Sequence, residues 1–161
     1  MQQAQTSNFS GNARLSALSA LSFCMDKKKP LDSAWAEDRH FESLSPSDRA
    51  FAQLLVKTVI RRLGQIDDIL NRFIERPLDA RFVNVMHILR LGTAQLVWLQ
   101  TPPHAAVNES VEMTKQLKMQ GHSGLVNAVL KKVAAEGSAI AAAQDIKLNT
   151  PAWLWDSWVR T

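Results

Sequence analysis

The chain has 161 residues, of which 46% are apolar and 21% charged, with six glycines, six prolines and a formal net charge of +4. This length suits one domain with a sizeable core, and the composition excludes disordered, collagen-like and disulfide-rich proteins. Cys24 is the only cysteine, so no internal disulfide can form, and the first residues lack the apolar run of a signal peptide. We therefore expect a cytoplasmic protein, with an anionic partner favoured only in general terms.

Changes in composition divide the chain into three parts. Residues 1–11 are rich in Gln, Ser and Asn and are expected to be a flexible N-terminus, residues 12–136 carry successive helical patterns, and residues 137–161 read as a connection followed by a tryptophan-rich helix. The longest apolar stretch, residues 82–99, contains an arginine, a histidine and two amides, which argues against a membrane span.

Apolar residues recur at helical spacing in each segment in turn. A helix is predicted from Asn12 to Met25, a shorter one over Leu31–Phe41, and a third after Ser45, which supplies an N-cap hydroxyl followed by a proline. Further helical patterns cover residues 66–76, 79–99, 103–117 and 125–133, and the second of these is apolar all round, as expected at the centre of a bundle. No segment shows the alternation of a half-buried strand, so we predict an all-α, compact helical bundle.

His104, Asn108 and Glu112 follow one another at four-residue intervals within the stretch TPPHAAVNESVE. A zinc site needs three or four converging ligands, whereas this set offers a histidine and a carboxylate separated by an amide. A structural role is favoured, in which Asn108 hydrogen-bonds a neighbouring backbone. We nominate no catalytic residue, no metal ligand and no cofactor site in the chain, and we expect Cys24 to be an inert thiol.

Basic side chains suggest a surface for a phosphate backbone, although a merely solvated charged face is the alternative. The candidate RNA-binding residues are Arg14, Lys27, Lys28, Arg49, Lys57, Arg61 and Arg62. No aromatic residue lies within this stripe of the sequence, so base stacking cannot be argued from it.

Three of the five tryptophans, Trp153, Trp155 and Trp158, lie close to the end of the sequence. Such a large aromatic surface must pack on something. It packs either on its own bundle or, as the interface we nominate, on another domain or partner.

Five blocks of the sequence occur in the order of a known family. They are ARLSALSAL, LSPSDRAFAQLLVKTVIRR, RFVNVMHILRLGTAQLVWL, PPHAAVNESVEMTKQL and GLVNAVLKKV. Over roughly residues 12–136 the chain resembles the NusB-like domain at the N-terminus of the RsmB (Sun/Fmu) family of bacterial rRNA cytosine-5 methyltransferases.

The resemblance implies an all-helical NusB fold that precedes a catalytic domain absent from this chain. It implies S-adenosylmethionine as the cofactor of that missing domain, and rRNA, the chain's own C-terminal methyltransferase domain and a ribosomal protein as partners. The chain by itself is expected not to be an enzyme. Asn108 and Asn127 fall in the blocks that look most like the family, and we interpret them, with His104, as structural polar residues that hold the fold.

Three functions are compatible with this reading. The leading one is an RNA-binding accessory domain that positions rRNA for methylation. The alternatives are a protein-interaction module that docks on the catalytic domain or a ribosomal protein, and a stand-alone NusB-like antitermination factor.

Overall fold

The computed structural model describes residues 2–150, and the side chains of residues 13–150. The described chain is built of α-helices joined by short connections, which confirms the all-α prediction. The helices are α1 (Gln2–Met25), α2 (Leu31–Glu37), α3 (Arg39–Ser43), α4 (Pro46–Arg61), α5 (Leu63–Phe73), α6 (Val83–Val97), α7 (Pro103–Gln116) and α8 (Ser123–Ala143). Short 3-10 helices occupy Ala80–Phe82, Gln120–His122 and Ile146–Asn149.

The first two helical boundaries differ from the sequence predictions. Helix α1 begins at Gln2, so it includes residues 2–11, which the sequence assigned to a flexible N-terminus. The predicted Leu31–Phe41 helix is two helices, because the backbone of Asp38 is extended, with φ −94° and ψ 100°. The Asp38 carboxylate accepts a hydrogen bond from the backbone N–H of His40 at 2.9 Å, and it thereby caps α3.

Helix α4 begins as its sequence predicts. The Ser45 hydroxyl accepts a hydrogen bond from the backbone N–H of Asp48 at 3.2 Å, and Pro46 occupies the first turn. Leu54, although apolar, is 50% exposed. Helix α4 packs on α1 and α6 through a neighbouring row that includes Leu55 and Val59, so position 54 turns outward.

Helix α6 is the central helix, as its apolar sequence predicts. It contacts α1, α4, α5, α7 and α8. Its fully or almost fully buried residues occupy most of the helix circumference and include Val85, Ile88, Leu89, Leu91 and Ala94. These five helices therefore pack around α6, whereas α2 and α3 pack on α1.

Helix α8 continues into the region that the sequence assigned to a connection from residue 137. Residues 134–143 include many alanines, which are the strongest helix formers. Gly137 is buried, and a Cβ at this position would lie 2.9 Å from Cγ2 of Val97 on α6. The small residues that looked like a connection instead let α8 approach α6 closely.

The segment that follows α8 folds back onto the start of α5. The backbone N–H of Gln65 donates to Oδ1 of Asn149 at 2.9 Å, and Nδ2 of Asn149 donates to Oε1 of Gln65 at 2.6 Å. Nε2 of Gln144 donates to the Gln65 carbonyl at 3.0 Å and to Asp68 at 2.9 Å. These bonds hold the 3-10 helix Ile146–Asn149 against α5.

A chain of charged and polar side chains links α5, α6 and the end of α1. The guanidinium of Arg90 binds both carboxylate oxygens of Asp67, at 2.8 and 3.1 Å, and its third nitrogen lies 3.1 Å from Nδ1 of His87. Nε2 of His87 lies 3.1 Å from the Asp26 carboxylate. Since arginine can only donate, Nδ1 accepts and Nε2 carries the proton, so His87 is the neutral tautomer.

Candidate nucleic-acid interface

Arg14 does not lie on the surface where the sequence prediction placed it. It is 4% exposed, its Nε donates to Oε1 of Gln95 at 2.8 Å, and its guanidinium lies 5.2 Å from the centre of the Phe51 ring. Burial lowers the pKa of Arg14, and the charge of Glu109 partly opposes this effect. Arg14 therefore ties α1 to α4 and α6, and we remove it from the candidate RNA-binding residues.

Arg49 is exposed, but its guanidinium already serves the local fold. Nε donates to the Leu44 carbonyl and Nη2 to the Glu42 carbonyl, each at 2.9 Å. These carbonyls lie at the end of α3, where helical hydrogen bonds no longer satisfy them. The side chain consequently stabilises the turn between α3 and α4.

Lys57 and Arg61 lie one turn apart on the outer face of α4, and both are exposed. Two apolar side chains share this exposed side of the helix, Leu54 at 50% and Ile60 at 41% exposure. This face of α4 is therefore mixed basic and apolar.

Arg62 lies beside an aromatic ring that the linear sequence did not associate with it. Its guanidinium is 5.6 Å from the centre of the Trp98 ring, and its Nη1 donates to Oε1 of Gln65 at 3.2 Å. Trp98 follows α6 directly and is half-buried. No local pattern connects residues 62 and 98, because only the packing of α4 and α5 on α6 brings them together.

Lys27 and Lys28 belong to a different region of the surface. Both are exposed after the end of α1, close in sequence to Asp26, and Nζ of Lys27 lies 5.7 Å from the centre of the Phe23 ring. Asp26 contacts His87, and with a rise of 1.5 Å per residue His87 and Trp98 lie about 16 Å apart along α6. The predicted basic residues therefore form separate groups near opposite ends of α6.

His104, Asn108 and Asn127 line one cleft between α7 and α8. The cleft has a volume of about 440 Å³, and its other lining residues are Pro103, Val107, Lys131 and Ala134. His104 and Asn108 are exposed and Asn127 is half-buried. Within residues 13–150, none of the three side chains has a hydrogen-bond partner. The hydrogen bond predicted for Asn108 is therefore not made among the described residues, and the wider fold-holding role of these three residues stays a prediction.

The environments of Cys24 and His87 do not favour a catalytic or metal-binding role for either side chain. Burial raises the pKa of the half-buried Cys24 thiol, which disfavours the reactive thiolate. Burial is the largest cause that lowers the pKa of His87, although Asp26 raises it. In the part of the chain that the structure describes, no three His, Cys, Asp or Glu side chains are grouped as a metal would require.

Two further sequence predictions concern the tryptophan-rich interface and membrane-spanning helices. Trp153, Trp155 and Trp158 lie outside residues 2–150, so the aromatic interface remains a prediction. Among the described helices, none combines the length and apolar character needed to cross a membrane.

Comparison with known proteins identifies similar sequences among ribosomal RNA methyltransferases. Ribosomal RNA small subunit methyltransferase B of Cronobacter sakazakii is 29% identical over 146 residues, which cover 89% of this chain and 34% of that protein. The protein of the same name from Escherichia coli O1:K1 / APEC is 32% identical over 116 residues, which cover 70% of this chain and 27% of that protein. The chain thus spans about a third or less of the length of these relatives.

The solved structure of T. maritima NusB has a similar fold. It superimposes with a TM-score of 0.68 at 23% identity, and the match covers 79% of this chain and 91% of that one. The sequence profile of the NusB family matches residues 11–135, which is most of the chain. The chain therefore belongs to the NusB family.

Proposed function

We propose that this chain is the RNA-binding accessory domain of a small-subunit rRNA cytosine-5 methyltransferase and positions rRNA for a separate catalytic domain. The supporting observation is its alignment with only 27–34% of the length of relatives that are named ribosomal RNA small subunit methyltransferase B. In this proposal the chain is a non-catalytic part of a longer enzyme.

The methyl donor in this proposal is S-adenosylmethionine, which would bind the catalytic domain. Residues 2–150 form helices and their connections, and the strand followed by a glycine-rich loop that typically cradles a nucleotide is not among them. We therefore assign the donor no site in the described residues.

The α4 face supplies the RNA contact in this proposal. Lys57 and Arg61 are exposed, and neither has an ion-pair partner among the described side chains. Arg62 and Trp98 continue this surface at the end of α4. Cations there would neutralise phosphates, and an exposed part of the indole ring would offer a surface on which a base can stack.

A charge-reversal experiment tests this function. We expect the Lys57→Glu/Arg61→Glu variant to bind a labelled small-subunit rRNA fragment at least about tenfold more weakly, because two phosphate contacts are replaced by repulsion. The wild-type affinity should also fall steeply as salt rises, as measured by fluorescence anisotropy.

A variant with the same change of net charge is the matched control. Lys115→Glu/Lys118→Glu alters exposed residues at the end of α7 and should keep most of the wild-type affinity. A flat salt response of the wild type, or equal losses in the two double variants, would contradict the proposed α4 contact.

A protein-interaction module remains the second candidate. The observation that favours it is the exposure of Leu54, Ile60, Ile146 and Leu148, at 50%, 41%, 70% and 45%. Its partner would be the catalytic domain or a ribosomal protein. A stand-alone antitermination factor is a separate, third alternative. If binding of the labelled rRNA fragment did not depend on salt, the protein-interaction module would be favoured over the RNA-binding domain.

A further inference from the structure

The cleft between α7 and α8 contains polar groups that the fold leaves without partners. His104 and Asn108 are one turn apart on α7, and Asn127 and Lys131 are one turn apart on α8, so each pair lies on one helical face. All four side chains line the same cleft of about 440 Å³. This volume falls within the usual range for the site of a small ligand.

Asn108 and Asn127 lack the internal hydrogen bonds that some other amides of the protein make, as does the buried Oδ1 of Asn84. The amides of Gln65, Gln95, Gln144 and Asn149 are all hydrogen-bonded within the fold. Among residues 13–150, no such bond or ion pair involves Asn108, Asn127 or Lys131. An amide has two donors and an acceptor with two lone pairs, so each can bind an incoming polar group.

The residues that line the cleft also define the chemistry of its ligand. Lys131 supplies a cation, and no carboxylate is among the lining residues. Asparagine amides can pair with the donor and acceptor edge of a base, and an imidazole offers a flat face for stacking. Pro103, Val107 and Ala134 contribute apolar lining, against which the flat face of a base can pack.

We propose that this cleft binds one unpaired nucleotide of the RNA, with the base against Asn108, Asn127 and His104 and a phosphate at Lys131. The proposal rests on the proposed RNA-binding function and adds a second contact site to the α4 face. It also gives the domain a means to prefer single-stranded over duplex RNA, because pairing occupies the Watson–Crick edge of a base and side chains cannot reach into the deep, narrow major groove of A-form RNA.

The test uses the full 161-residue chain and two labelled probes, a single-stranded RNA of about 12 nucleotides and the matching duplex. We expect Asn108→Ala/Asn127→Ala to weaken single-strand binding about tenfold, the loss of one good amide–base pair. The salt dependence of the remaining affinity should be unchanged because no charge is removed. Duplex binding should stay close to wild type.

Two lysine variants, each of which removes one positive charge, test the proposed phosphate contact. Lys131→Gln should reduce the slope of log affinity against log salt by about 0.7, as expected for one phosphate contact with a single strand. Lys132→Gln, which alters the adjacent exposed lysine outside this cleft, should leave both the affinity and the slope almost unchanged. Equal effects of the two lysine variants would overturn the assignment of the phosphate to Lys131.

The outcomes separate this proposal from the function on which it rests. If wild-type protein binds neither probe, RNA binding fails and the cleft proposal fails with it. If wild type binds, and Lys57→Glu/Arg61→Glu weakens binding while Asn108→Ala/Asn127→Ala does not, only the cleft proposal is overturned. Melting curves of the amide variant should match the wild type, because neither side chain has an internal hydrogen bond. A loss of folding would also overturn the proposal.

Discussion

At the scale of single residues, burial decides which cations hold the fold and which can meet a partner. Arg14 and Arg62 both lie next to an aromatic ring, yet Arg14 is 4% exposed and bonded to Gln95, whereas Arg62 is half-buried at the end of α4. A sequence shows the charge of an arginine but not its depth. Arg14 could be assigned only after α6 had been placed beside α1.

Arg14→Met tests this structural assignment. The change keeps an apolar stem but leaves Oε1 of Gln95 without its Arg14 donor, so the free energy of unfolding should fall by about 1–3 kcal/mol in urea denaturation. RNA affinity per folded molecule should stay the same. A selective loss of affinity at equal stability would return Arg14 to the RNA-binding surface.

His87 makes the stability of the protein depend on pH. Because burial lowers its pKa below the ordinary value of 6.5, the unfolded chain takes up a proton more readily than the folded one. The contribution of this group to stability is therefore complete above about pH 6.5 and is lost as the pH falls through and below that value. Melting temperatures measured from pH 8 to pH 5 should show the loss.

Two histidine variants identify the source of this dependence. His87→Gln should lower stability at pH 8 and flatten the decline towards pH 5, because its side chain does not titrate. His40→Gln changes an exposed histidine and should preserve the decline. If His87→Gln follows the same pH profile as the wild type, another group is responsible.

At the scale of helices, local signals were sufficient where they act within one turn. Ser45 and Pro46 marked the start of α4, and the apolar residues around most of α6 marked its central position. The small residues after Val133 led to the prediction of a connection from residue 137, because alanine and glycine occur both in connections and in closely packed helices. Only the contact of Gly137 with Val97 distinguishes the two.

The contact between α5 and the segment after α8 gives a prediction at the same scale. A Cβ at Gly64 would lie 1.5 Å from the carbonyl oxygen of Leu148, so Gly64→Ala must displace the 3-10 helix Ile146–Asn149. We expect a loss of about 1–3 kcal/mol in stability and faster proteolysis near residue 145.

Gly124→Ala is the matched glycine control for this experiment. An added Cβ at Gly124 has no atom within 4 Å, and alanine favours the helix, so stability should be unchanged or slightly increased. If Gly64→Ala melts like Gly124→Ala, the contact with Leu148 is not a tight one.

At the scale of the whole molecule, the fold was more predictable than its functional surface. Helical periodicity and the five family-like blocks are spread along the sequence and reinforce one another. The surface depends on pairs distant in sequence, such as Arg62 with Trp98 and Asn108 with Asn127. The amides illustrate the difference, because their positions in family-like blocks suggested internal bonds whereas the structure leaves them facing a cleft.

Because methyl transfer is proposed to occur in a separate domain, the 161-residue chain alone should be inactive. Purified 161-residue protein, incubated with labelled S-adenosylmethionine and small-subunit rRNA, should incorporate no label above background, because we place the methyl-transfer residues in another domain. Addition of a longer relative, such as the Escherichia coli methyltransferase, to a parallel reaction shows that the RNA is a competent substrate. Methyl transfer by this chain alone would contradict the proposal.

The series Asp67, Arg90, His87 and Asp26 has a consequence for how substitutions combine. Each member orients the next, so neutralising Asp67 would free Arg90 and loosen the imidazole that faces Asp26. In a double-mutant cycle, Asp67→Asn and Asp26→Asn should together cost less than the sum of their separate effects. Three helices would then share one energetic unit, and sequence changes at either end of it would be expected to arise in concert.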